Sequence, residues 1–579
     1  MSTIADTVIA TLRANGVTRA YGVPGDSLNG FTEAMRRDGS FEWRLVRHEE
    51  AGAFAAAADA ELTGELALVL GSCGPGNLHL INGLFDAQRS RVPVLAIAAQ
   101  IPSGEIGSGY FQETHPQNLF QECSVYCEMV SDPEQMPRML ETAMRAAIQQ
   151  RGVAVLVVPG DVAQAEAVNE QVTVIERARA RVVPSDDQLR AAADLLNGSR
   201  RTTLLVGVGA EGAKDDVLAL ADTLAAPVVH TLRSKQHIEG DNPFDVGLTG
   251  LLGFASGYRA MDEAETILML GTDFPYRQFY PEHAKVIQVD LRGEQLGKRV
   301  PLELGLVGDV GDTIRELLPL LRRTKNRSHL EDAVKHYGRT RAKLDELAVP
   351  TKKRRLRGQD PIHPQYLAQL VDELADDDAI FVPDVGSPVV YAARYLQCHG
   401  DRRVIGSFIH GSMANAVPHA VGAQLAFPKR QVITLSGDGG LAMLMGELLT
   451  VTQHDLPIKI VVLNNSSLNF VELEMKAAGL PDFGTGLDNP DFSKVAEAVG
   501  IRGFRVTDSG ELESTLREAF AHDGPALVDV VTDRQELTIP PAISAEQVKG
   551  FTLYALRTVM SGRGDELLDL SRANLRQIF

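Results

Sequence analysis

Cysteine, tryptophan and positive charge are all scarce in this chain of 579 residues. It has 4 cysteines and 1 tryptophan, and its 76 acidic residues against 57 basic ones give a net charge of −19. Four thiols in so long a chain do not form a disulfide framework, and Cys123 and Cys127 lack the spacing and the histidine neighbours of a zinc site. The negative charge, without a basic stripe, argues against a nucleic-acid partner.

Long apolar runs are also missing from the sequence. No segment approaches the roughly 18–20 apolar residues of a membrane-spanning helix. Residues 1–17 predict an amphipathic helix with Ile4, Val8 and Leu12 on one face. This segment has neither the basic start nor the continuous apolar centre of a signal peptide. We therefore expect a cytoplasmic protein.

What the sequence does contain is an alternation of apolar runs and helical segments, repeated three times, which is typical of parallel α/β folds. Its length corresponds to about three or four domains. We predict α/β domains over residues 1–180, 181–325 and 361–535, a charged linker over 326–360, and a tail over 536–579. The linker contains the basic run Lys352–Arg355, which we interpret as part of a solvated segment.

The most informative motif is Ser436–Gly440, followed one helix length later by Asn464 and Asn465. The motif ends an apolar run, residues 441–454 have the length of one helix, and residues 456–463 form a second apolar run. This βαβ layout places Asp438 and Asn465 at one carboxyl edge of a parallel sheet, where ligands of open α/β folds bind. A carboxylate and an amide oxygen suit Mg²⁺ when a diphosphate supplies further oxygens. Either half alone could be an ordinary turn or loop.

A second candidate site begins at Glu49, which precedes the small-residue helix Ala51–Ala60 with Phe54 at its centre. The ordinary interpretation of an acid at the start of a helix is that it only complements the helix dipole. Beside a diphosphate site it has another interpretation, because a carboxyl group held away from water can exchange a proton with a ring nitrogen.

Several blocks of sequence together resemble the thiamine diphosphate (ThDP)-dependent pyruvate oxidase and acetohydroxyacid synthase superfamily. The blocks are Tyr21–Gly30, Arg47–Ala57, Gly71–Phe85, Gly107–Pro116, Thr272–Pro281 and Gly406–Asn415. The resemblance extends from the N-terminal helix to the tail and weakens only in the charged linker and in the polar stretch around Glu166–Ser185. It implies a pyrimidine-binding domain, a central FAD-binding domain and a diphosphate-binding domain, in that order, with ThDP, Mg²⁺ and FAD as cofactors.

The resemblance also implies roles for residues of the ThDP site. Glu49 matches the glutamate that activates the cofactor. Asp438 and Asn465 match the Mg²⁺ ligands, with the backbone carbonyl of Ser467 as a third. The residues that match cofactor contacts are Gly411, Ser412 and Met413 at the aminopyrimidine and Gly439 and Gly440 at the diphosphate.

Three further residues match positions near the reacting atoms. Phe111 and Gln112 match residues that lie over the thiazolium ring, and Phe470 matches a mobile aromatic residue. Without the resemblance, all three would be interpreted as packing or surface residues.

The central domain contains a misleading motif. Gly207–Gly212 follows the apolar run Thr202–Val206 and fits the dinucleotide fingerprint GxGxxG. The NAD-binding form also needs an acid at the end of the next strand, and that strand here ends at His230 without one. The resemblance implies FAD instead, in contact with the following residues: Thr249, Gly250, Leu251, Leu252, Thr272, Asp273, Phe274, Pro275, Tyr276 and Asp290. Asp290 alone could be a turn residue at a strand end.

The tail predicts an amphipathic helix. Helical projection brings its apolar side chains to one face; they are Leu567, Leu568, Leu575, Ile578 and Phe579. Such a face either docks on its own protein or lies on a bilayer. The tail resembles that of the lipid-activated, quinone-linked members of the superfamily, although a net charge of −19 would repel anionic lipid.

Taken together, the resemblance implies oxidative decarboxylation of pyruvate to acetate and CO₂, with electrons passed through FAD to a membrane quinone. It further implies a homotetramer, a dimer of dimers, associated peripherally with the inner face of the cell membrane. Three rivals stay open: an acetohydroxyacid synthase or other non-oxidative ThDP enzyme, a phosphate-dependent pyruvate oxidase, and a non-catalytic scaffold that kept the fold.

Overall fold

The computed structural model describes residues 2–168, 171–177, 180–349 and 362–534, and the isolated residues 536, 553, 554, 557, 570 and 574. Within these residues the chain forms three parallel six-stranded sheets with helices in their connections. The predicted succession of three parallel α/β units is therefore confirmed. The basic run Lys352–Arg355 lies outside the described residues, and so does the apolar face of the tail: Leu567, Leu568, Leu575, Ile578 and Phe579.

The first unit is built on a sheet with strand order β2-β1-β3-β4-β6-β5. Its strands are β1 (Arg19–Gly22), β2 (Glu42–Leu45), β3 (Ala67–Gly71), β4 (Val94–Gln100), β5 (Tyr126–Met129) and β6 (Val153–Pro159). Its helices are α1 (Ile4–Ala14), α2 (Asn29–Asp38), α3 (Glu49–Thr63), α4 (Pro75–Ser90), α5 (Pro116–Leu119), α6 (Met136–Gln150) and α7 (Gly160–Gln164). Helix α1 buries Ile4, Val8 and Leu12, as its sequence pattern predicts.

The second unit has a different strand order, β12-β11-β10-β7-β8-β9. Its strands are β7 (Thr202–Val206), β8 (Val228–His230), β9 (Asp245–Leu248), β10 (Thr266–Leu270), β11 (Lys285–Asp290) and β12 (Leu304–Val307). Its helices are α8 (Asp186–Gly198), α9 (Lys214–Leu224), α10 (Lys235–Ile238), α11 (Ala255–Asp262), α12 (Val310–Leu317) and α13 (Ser328–Leu347). Asp290 is the last residue of β11 and is buried at the carboxyl edge of this sheet.

The third unit has the strand order β14-β13-β15-β16-β18-β17. Its strands are β13 (Ile380–Pro383), β14 (Arg403–Val404), β15 (Val432–Gly437), β16 (Lys459–Asn464), β17 (Arg502–Val506) and β18 (Ala526–Val531). Its helices are α14 (Pro364–Leu374), α15 (Ser387–Tyr395), α16 (Ala416–Ala426), α17 (Asp438–Met443), α18 (Leu448–Gln453), α19 (Asn469–Ala477), α20 (Phe492–Ala498) and α21 (Ser509–Ala521).

One expectation for the third unit is wrong, because residues 441–454 do not form one helix. Helix α17 ends at Met443, a short 3₁₀ turn covers Met445–Glu447, and α18 follows. The buried Glu447 turns toward the first unit, where its carboxylate accepts the backbone N–H of Arg47 at 3.1 Å. A partner 400 positions away in the chain therefore interrupts the local helical pattern.

The first and third units share one hydrophobic core. The alanine-rich helix α3 packs against α16, and the closest approach is at Gly422. A Cβ atom added there would lie 2.0 Å from the backbone oxygen of Ala55, so that no larger residue fits without movement of the two helices. The core also takes in the buried faces of strands from both sheets, which fixes the relative position of the two candidate sites.

In the part of the chain that the structure describes, none of the helices combines the length and the apolar character that crossing a bilayer requires.

Candidate cofactor site

The sheet edge that carries Asp438 is formed by the neighbouring strands β15 and β16, which pair Gly437 with Leu463. Asp438 follows β15 directly and is 3% exposed. One carboxylate oxygen accepts the backbone N–H of Gly439 at 2.8 Å, and the other accepts the N–H of Ser466 at 2.7 Å and the amide of Asn489 at 2.8 Å. Burial raises the pKa of Asp438, although these hydrogen bonds oppose the shift.

The loop after β16 brings two further residues with oxygen atoms that can bind a metal ion to the same edge. The side-chain oxygen of Asn465 accepts the N–H of Ser467 at 3.0 Å, and the hydroxyl of Ser467 donates to the buried carboxylate of Glu472 at 2.5 Å. Ser466 adopts a φ of 56°, which few residues other than glycine take. This set of hard oxygen atoms fits a Mg²⁺ ion that shares its coordination with a diphosphate.

A cavity of about 420 Å³ opens over this edge. Its lining includes most of the third-unit residues singled out in the sequence: Gly411, Met413, Asp438, Gly439, Gly440, Asn465, Ser467 and Phe470. At Gly440 a Cβ atom would lie 1.9 Å from a carboxylate oxygen of Asp384, so glycine is required there and the backbone stays open toward the cavity. Such a cradle fits the diphosphate of a cofactor.

The central unit reaches the same cavity through Leu251, Leu252 and Tyr276. The hydroxyl of Thr249, next to this group, is buried and has no hydrogen-bond partner among the described residues. Burial raises the pKa of Asp290, which accepts the backbone N–H of Arg292 at 2.9 Å. A hydroxyl without a partner, which can donate, and a buried strand-end carboxylate, which accepts, are polar groups that fit a flavin nucleotide.

The other predicted contacts of the central unit lie in the segment after β10. Thr272 accepts the backbone N–H of Phe274 at 3.1 Å, and the side chain of Asp273 lies 3.6 Å from that of Arg299. The ring of Phe274 contacts the ring of Tyr276 edge to face. Gly250, Thr272, Asp273, Phe274 and Pro275 do not line the cavity. Contact with a flavin stays a prediction for all the residues of the central unit named from the sequence.

Models of known families and individual relatives both match the chain. Three family models match successive parts of the chain. They describe the N-terminal TPP binding domain of thiamine pyrophosphate enzymes, over residues 2–121, their central domain, over 189–317, and their C-terminal TPP binding domain, over 384–530. A putative thiamine pyrophosphate-containing protein YdaP of Bacillus subtilis is 36% identical over 97% of both chains. The chain belongs to the thiamine pyrophosphate enzymes.

Two further relatives place it in the pyruvate oxidase and acetohydroxyacid synthase superfamily of these enzymes. The pyruvate oxidase of Lactiplantibacillus plantarum is 29% identical over 90% of this chain and 87% of its own length. The large subunit of acetolactate synthase isozyme 2 of Escherichia coli is 31% identical over 93% and 98%. Thiamine pyrophosphate is another name for ThDP, so this is a ThDP-dependent enzyme of the pyruvate oxidase and acetolactate synthase type.

Among the described residues of the first unit of this thiamine pyrophosphate enzyme, none lines the cavity of its own chain. Glu49 begins α3, is 7% exposed, and lies 2.9 Å from the Nδ1 atom of His79. Phe111 is 77% exposed, and the neighbouring Gln112 has a φ of 63° and lies 3.4 Å from the Sγ atom of Cys73. Glu49, Phe111 and Gln112 therefore do not line the cavity that contains Asp438 in the same chain.

Sequence reasoning missed two polar residues that build the third-unit edge. Asp384, one residue after β13, accepts the N–H of Val385 and the amide of Asn415, and burial raises its pKa to about 7. Asn489 bridges Asp438 and Asn464. An acid one position after the run 380–383 was a usable signal for Asp384, whereas Asn489 lies in a loop that carries no such pattern.

Proposed function

We propose that this enzyme is a pyruvate dehydrogenase (quinone), which oxidises pyruvate to acetate and CO₂ and passes the electrons through FAD to a membrane quinone. The observation that supports it is the shared cavity, in which the candidate metal edge of the third unit faces Leu251, Leu252 and Tyr276 of the central unit. Groups bound on the two sides would be close enough to exchange electrons. The tail resemblance favours quinone as the final acceptor.

Bound ThDP supplies the carbon nucleophile that adds to a 2-oxo acid and accepts the electron pair left by CO₂, and FAD supplies a two-electron acceptor. Asp438, Asn465 and the Ser467 carbonyl would hold Mg²⁺ beside the diphosphate. Gly439 and Gly440 would donate backbone N–H groups, and Met413 would pack against the organic part of the cofactor. The carboxyl group of Glu49 would hold and release a proton at the aminopyrimidine ring.

We propose that the enzyme is a homotetramer in which each active site combines two subunits. Glu49 lies outside the cavity of its own chain, and its neighbour His79 has a side chain that is 44% exposed. Leu78, next to His79, is 44% exposed, and Phe111 of the same unit is 77% exposed. An acid beside exposed apolar side chains is expected at a surface that a second copy of the chain completes.

We propose that the protein is cytoplasmic and binds the inner face of the cell membrane through its tail. The apolar face of Leu567, Leu568, Leu575, Ile578 and Phe579 would lie in the interface of the bilayer, which gives reversible binding. The net charge of −19 predicts that neutral lipid suits the whole protein better than strongly anionic lipid.

A second candidate is an acetolactate synthase, favoured by the 31% identity to a named acetolactate synthase over 98% of that chain. In that enzyme the second substrate would be another 2-oxo acid, and the flavin would stay out of the reaction. The two candidates share the ThDP site and differ in the products.

One assay separates them. The purified enzyme with ThDP, Mg²⁺ and FAD is supplied with pyruvate and a quinone analogue, with and without vesicles of a neutral phospholipid. We expect equal amounts of acetate and reduced quinone, with vesicles increasing the rate. Acetolactate as the main product, without reduction of the quinone, would overturn the proposal.

A truncation tests the membrane part separately. Deletion of residues 557–579 is expected to preserve pyruvate oxidation with a soluble dye as the acceptor and to reduce electron transfer to a quinone in vesicles. Equal rates with vesicle quinone in the truncated and complete chains would show that the tail packs on its own protein.

A further inference from the structure

Helix α4 of the first unit holds the loop that precedes α16 of the third unit, and Asn82 lies at the centre of this contact. The Nδ2 atom of Asn82 donates to a carboxylate oxygen of Glu50 at 2.7 Å and to the hydroxyl oxygen of Ser412 at 2.8 Å. Its Oδ1 atom lies 2.8 Å from the Nε2 atom of His410. Both N–H groups and the oxygen of one amide are thereby used.

The direction of these hydrogen bonds follows from their surroundings. The hydroxyl of Ser412 donates to the carbonyl of Met413 at 3.0 Å, so the Ser412 oxygen accepts from Asn82. The carboxylate of Glu50 also only accepts. Burial lowers the pKa of His410, so at neutral pH its ring has one N–H, which donates to the Asn82 oxygen. The position therefore needs a side chain with donors on one side and an acceptor on the other.

One turn further along α4, Asp86 holds the other end of the same loop. It accepts the hydroxyl of Ser407 at 2.7 Å, and the Ser407 oxygen accepts the backbone N–H of Ser412 at 2.9 Å. Asp86 is also paired with the buried His419 at 3.1 Å. Positions 82 and 86 lie on one face of α4, so a single rigid helix fixes residues 407–413 at two points.

The same helix also fixes the candidate proton-transfer residue. His79 on α4 contacts Glu49, and Asn82 contacts Glu50, so two successive acids at the start of α3 are each held by α4. Glu49 and the Gly411–Met413 segment are therefore linked, although they belong to different units of the chain. The link runs through His79, Glu50 and Asn82.

We propose that Asn82 is a positioning residue, which holds Ser412 and Met413 in the orientation needed to bind ThDP by linking them to Glu50. This rests on the part of the proposed function that assigns the Gly411–Met413 segment to the cofactor. It does not depend on whether the electrons go to a quinone.

The test exchanges the donor and the acceptor. In Asn82→Asp the carboxylate introduced at position 82 faces that of Glu50, so the link from Glu50 to Ser412 is broken, and we expect ThDP affinity to fall by about 10- to 100-fold, the scale for a lost hydrogen bond to a charged group. In the double variant Glu50→Gln with Asn82→Asp, the amide introduced at position 50 donates to one oxygen of the carboxylate introduced at position 82. The hydroxyl of Ser412 turns to donate to the other oxygen, so the link from position 50 to Ser412 is restored. We expect affinity to recover to within about threefold of the single variant Glu50→Gln.

Calorimetric titration of the full-length protein with ThDP and Mg²⁺ gives the affinity without reference to turnover. The KM for pyruvate at saturating ThDP should stay near its original value in Asn82→Asp, and thermal unfolding without ThDP measures how much stability the same change costs. Asn29→Asp, at an exposed site on α2, introduces the same charge as a control. If Asn82→Asp does not fold, recovery of folded, ThDP-binding protein in the double variant supports the same conclusion.

Two results would overturn the proposal. One is original ThDP affinity in Asn82→Asp. The other is a folded double variant that binds ThDP no better than Asn82→Asp. If the chain binds ThDP as expected but forms acetolactate, the quinone proposal fails while the role of Asn82 can still be measured.

Discussion

The first and third units have the same architecture but differ in the polar residues at the carboxyl edges of their sheets. Their strand orders are equivalent, with the second, first, third, fourth, sixth and fifth strand of each sheet side by side. In the third unit the carboxyl edge carries Asp384, Asp438 and Asn465 after three neighbouring strands. In the first unit β3 is followed by Ser72, and the acid Glu49 begins a helix instead.

This difference shows how one fold supports two kinds of chemistry. Asp438 is held by two backbone N–H groups and an amide, a fixed geometry that suits a metal ligand. Glu49 has one polar side-chain contact in the described structure, with His79. A carboxyl group with few fixed donors is better suited to taking up and releasing a proton.

Loss of Asp438 should have the largest effect. In Asp438→Ala we expect Mg²⁺-dependent ThDP binding to weaken by at least about a hundredfold, because removal of a metal ligand costs more than loss of a supporting contact. Bound FAD should be unaffected, since its candidate contacts lie in another unit. Calorimetry with ThDP and the visible spectrum of the flavin measure the two cofactors separately. Loss of both from a folded protein would contradict this division between units.

Loss of the Glu49 carboxyl group should leave binding intact and remove turnover. Glu49→Gln keeps the size and polarity of the side chain, and we expect a decrease of roughly two to four orders of magnitude in kcat, the scale of a general acid–base group. Glu134→Gln, at an exposed site in the same unit, is the control. Pyruvate turnover near the original rate in Glu49→Gln would remove the assignment.

A mixture of the two variants tests whether an active site is formed by the first unit of one subunit and the third unit of another. In co-expressed Glu49→Gln and Asp438→Ala chains, half of randomly paired dimers are mixed and one of their two sites has both original residues. We therefore expect about a quarter of the original activity per site. Size-exclusion chromatography checks that the mixed chains assemble as the original protein does. If each chain formed its own site, the mixture would be as inactive as the separate variants.

The fold could be predicted further than the site. Apolar runs and the Asp438 and Asn465 positions depend on neighbours along the chain, so the parallel units and the shared sheet edge followed from the sequence. The break between α17 and α18 depends on the contact of Glu447 with Arg47, and Asn489 reaches Asp438 across 51 positions. The separation of Glu49 from the cavity depends on how whole units pack, which no local pattern specifies.

The joint between the two units should be sensitive to a single methyl group. Because its Cβ would lie 2.0 Å from the Ala55 oxygen, Gly422→Ala should destabilise the protein by about 1–3 kcal/mol. Gly338→Ala is the matched control, since it lies inside α13 with nothing within 4 Å of the added Cβ. There we expect a gain of about 0.5–1 kcal/mol, because alanine is the better helix former. The urea unfolding midpoint measures the stability of each variant. If Gly422→Ala had the midpoint of the original protein, the two helices would move apart at little cost in free energy.

The smallest expected effect is on the pH dependence of the same joint. Although burial opposes it, the hydrogen bond and charge of Asp86 raise the pKa of His419 above 6.5, and His419 in turn lowers the pKa of Asp86 below 3.8. The contribution of His419 is complete below pH 6.5 and is lost as the pH rises through its raised pKa. The contribution of Asp86 is complete above pH 3.8 and is lost as the pH falls through its lowered pKa.

Replacement of the histidine should flatten this profile. Between pH 6.5 and 9 we expect the urea midpoint of the original protein to decrease, and that of His419→Gln to be lower at pH 6.5 and to change less with pH. Parallel profiles for the two proteins would show that the pair does not hold the joint.

The shared core of the first and third units also has a consequence for synthesis on the ribosome. Helix α3 ends at Thr63, but the helix that covers it, α16, ends at Ala426. At a typical synthesis rate of 5–20 residues per second, the alanine-rich surface of α3 waits on the order of 20 to 70 s for its partner. The central unit can fold during that interval. During this interval the apolar face of the newly made first unit is uncovered. A chaperone, or a neighbouring nascent chain, therefore has its longest access to that face before α16 is made.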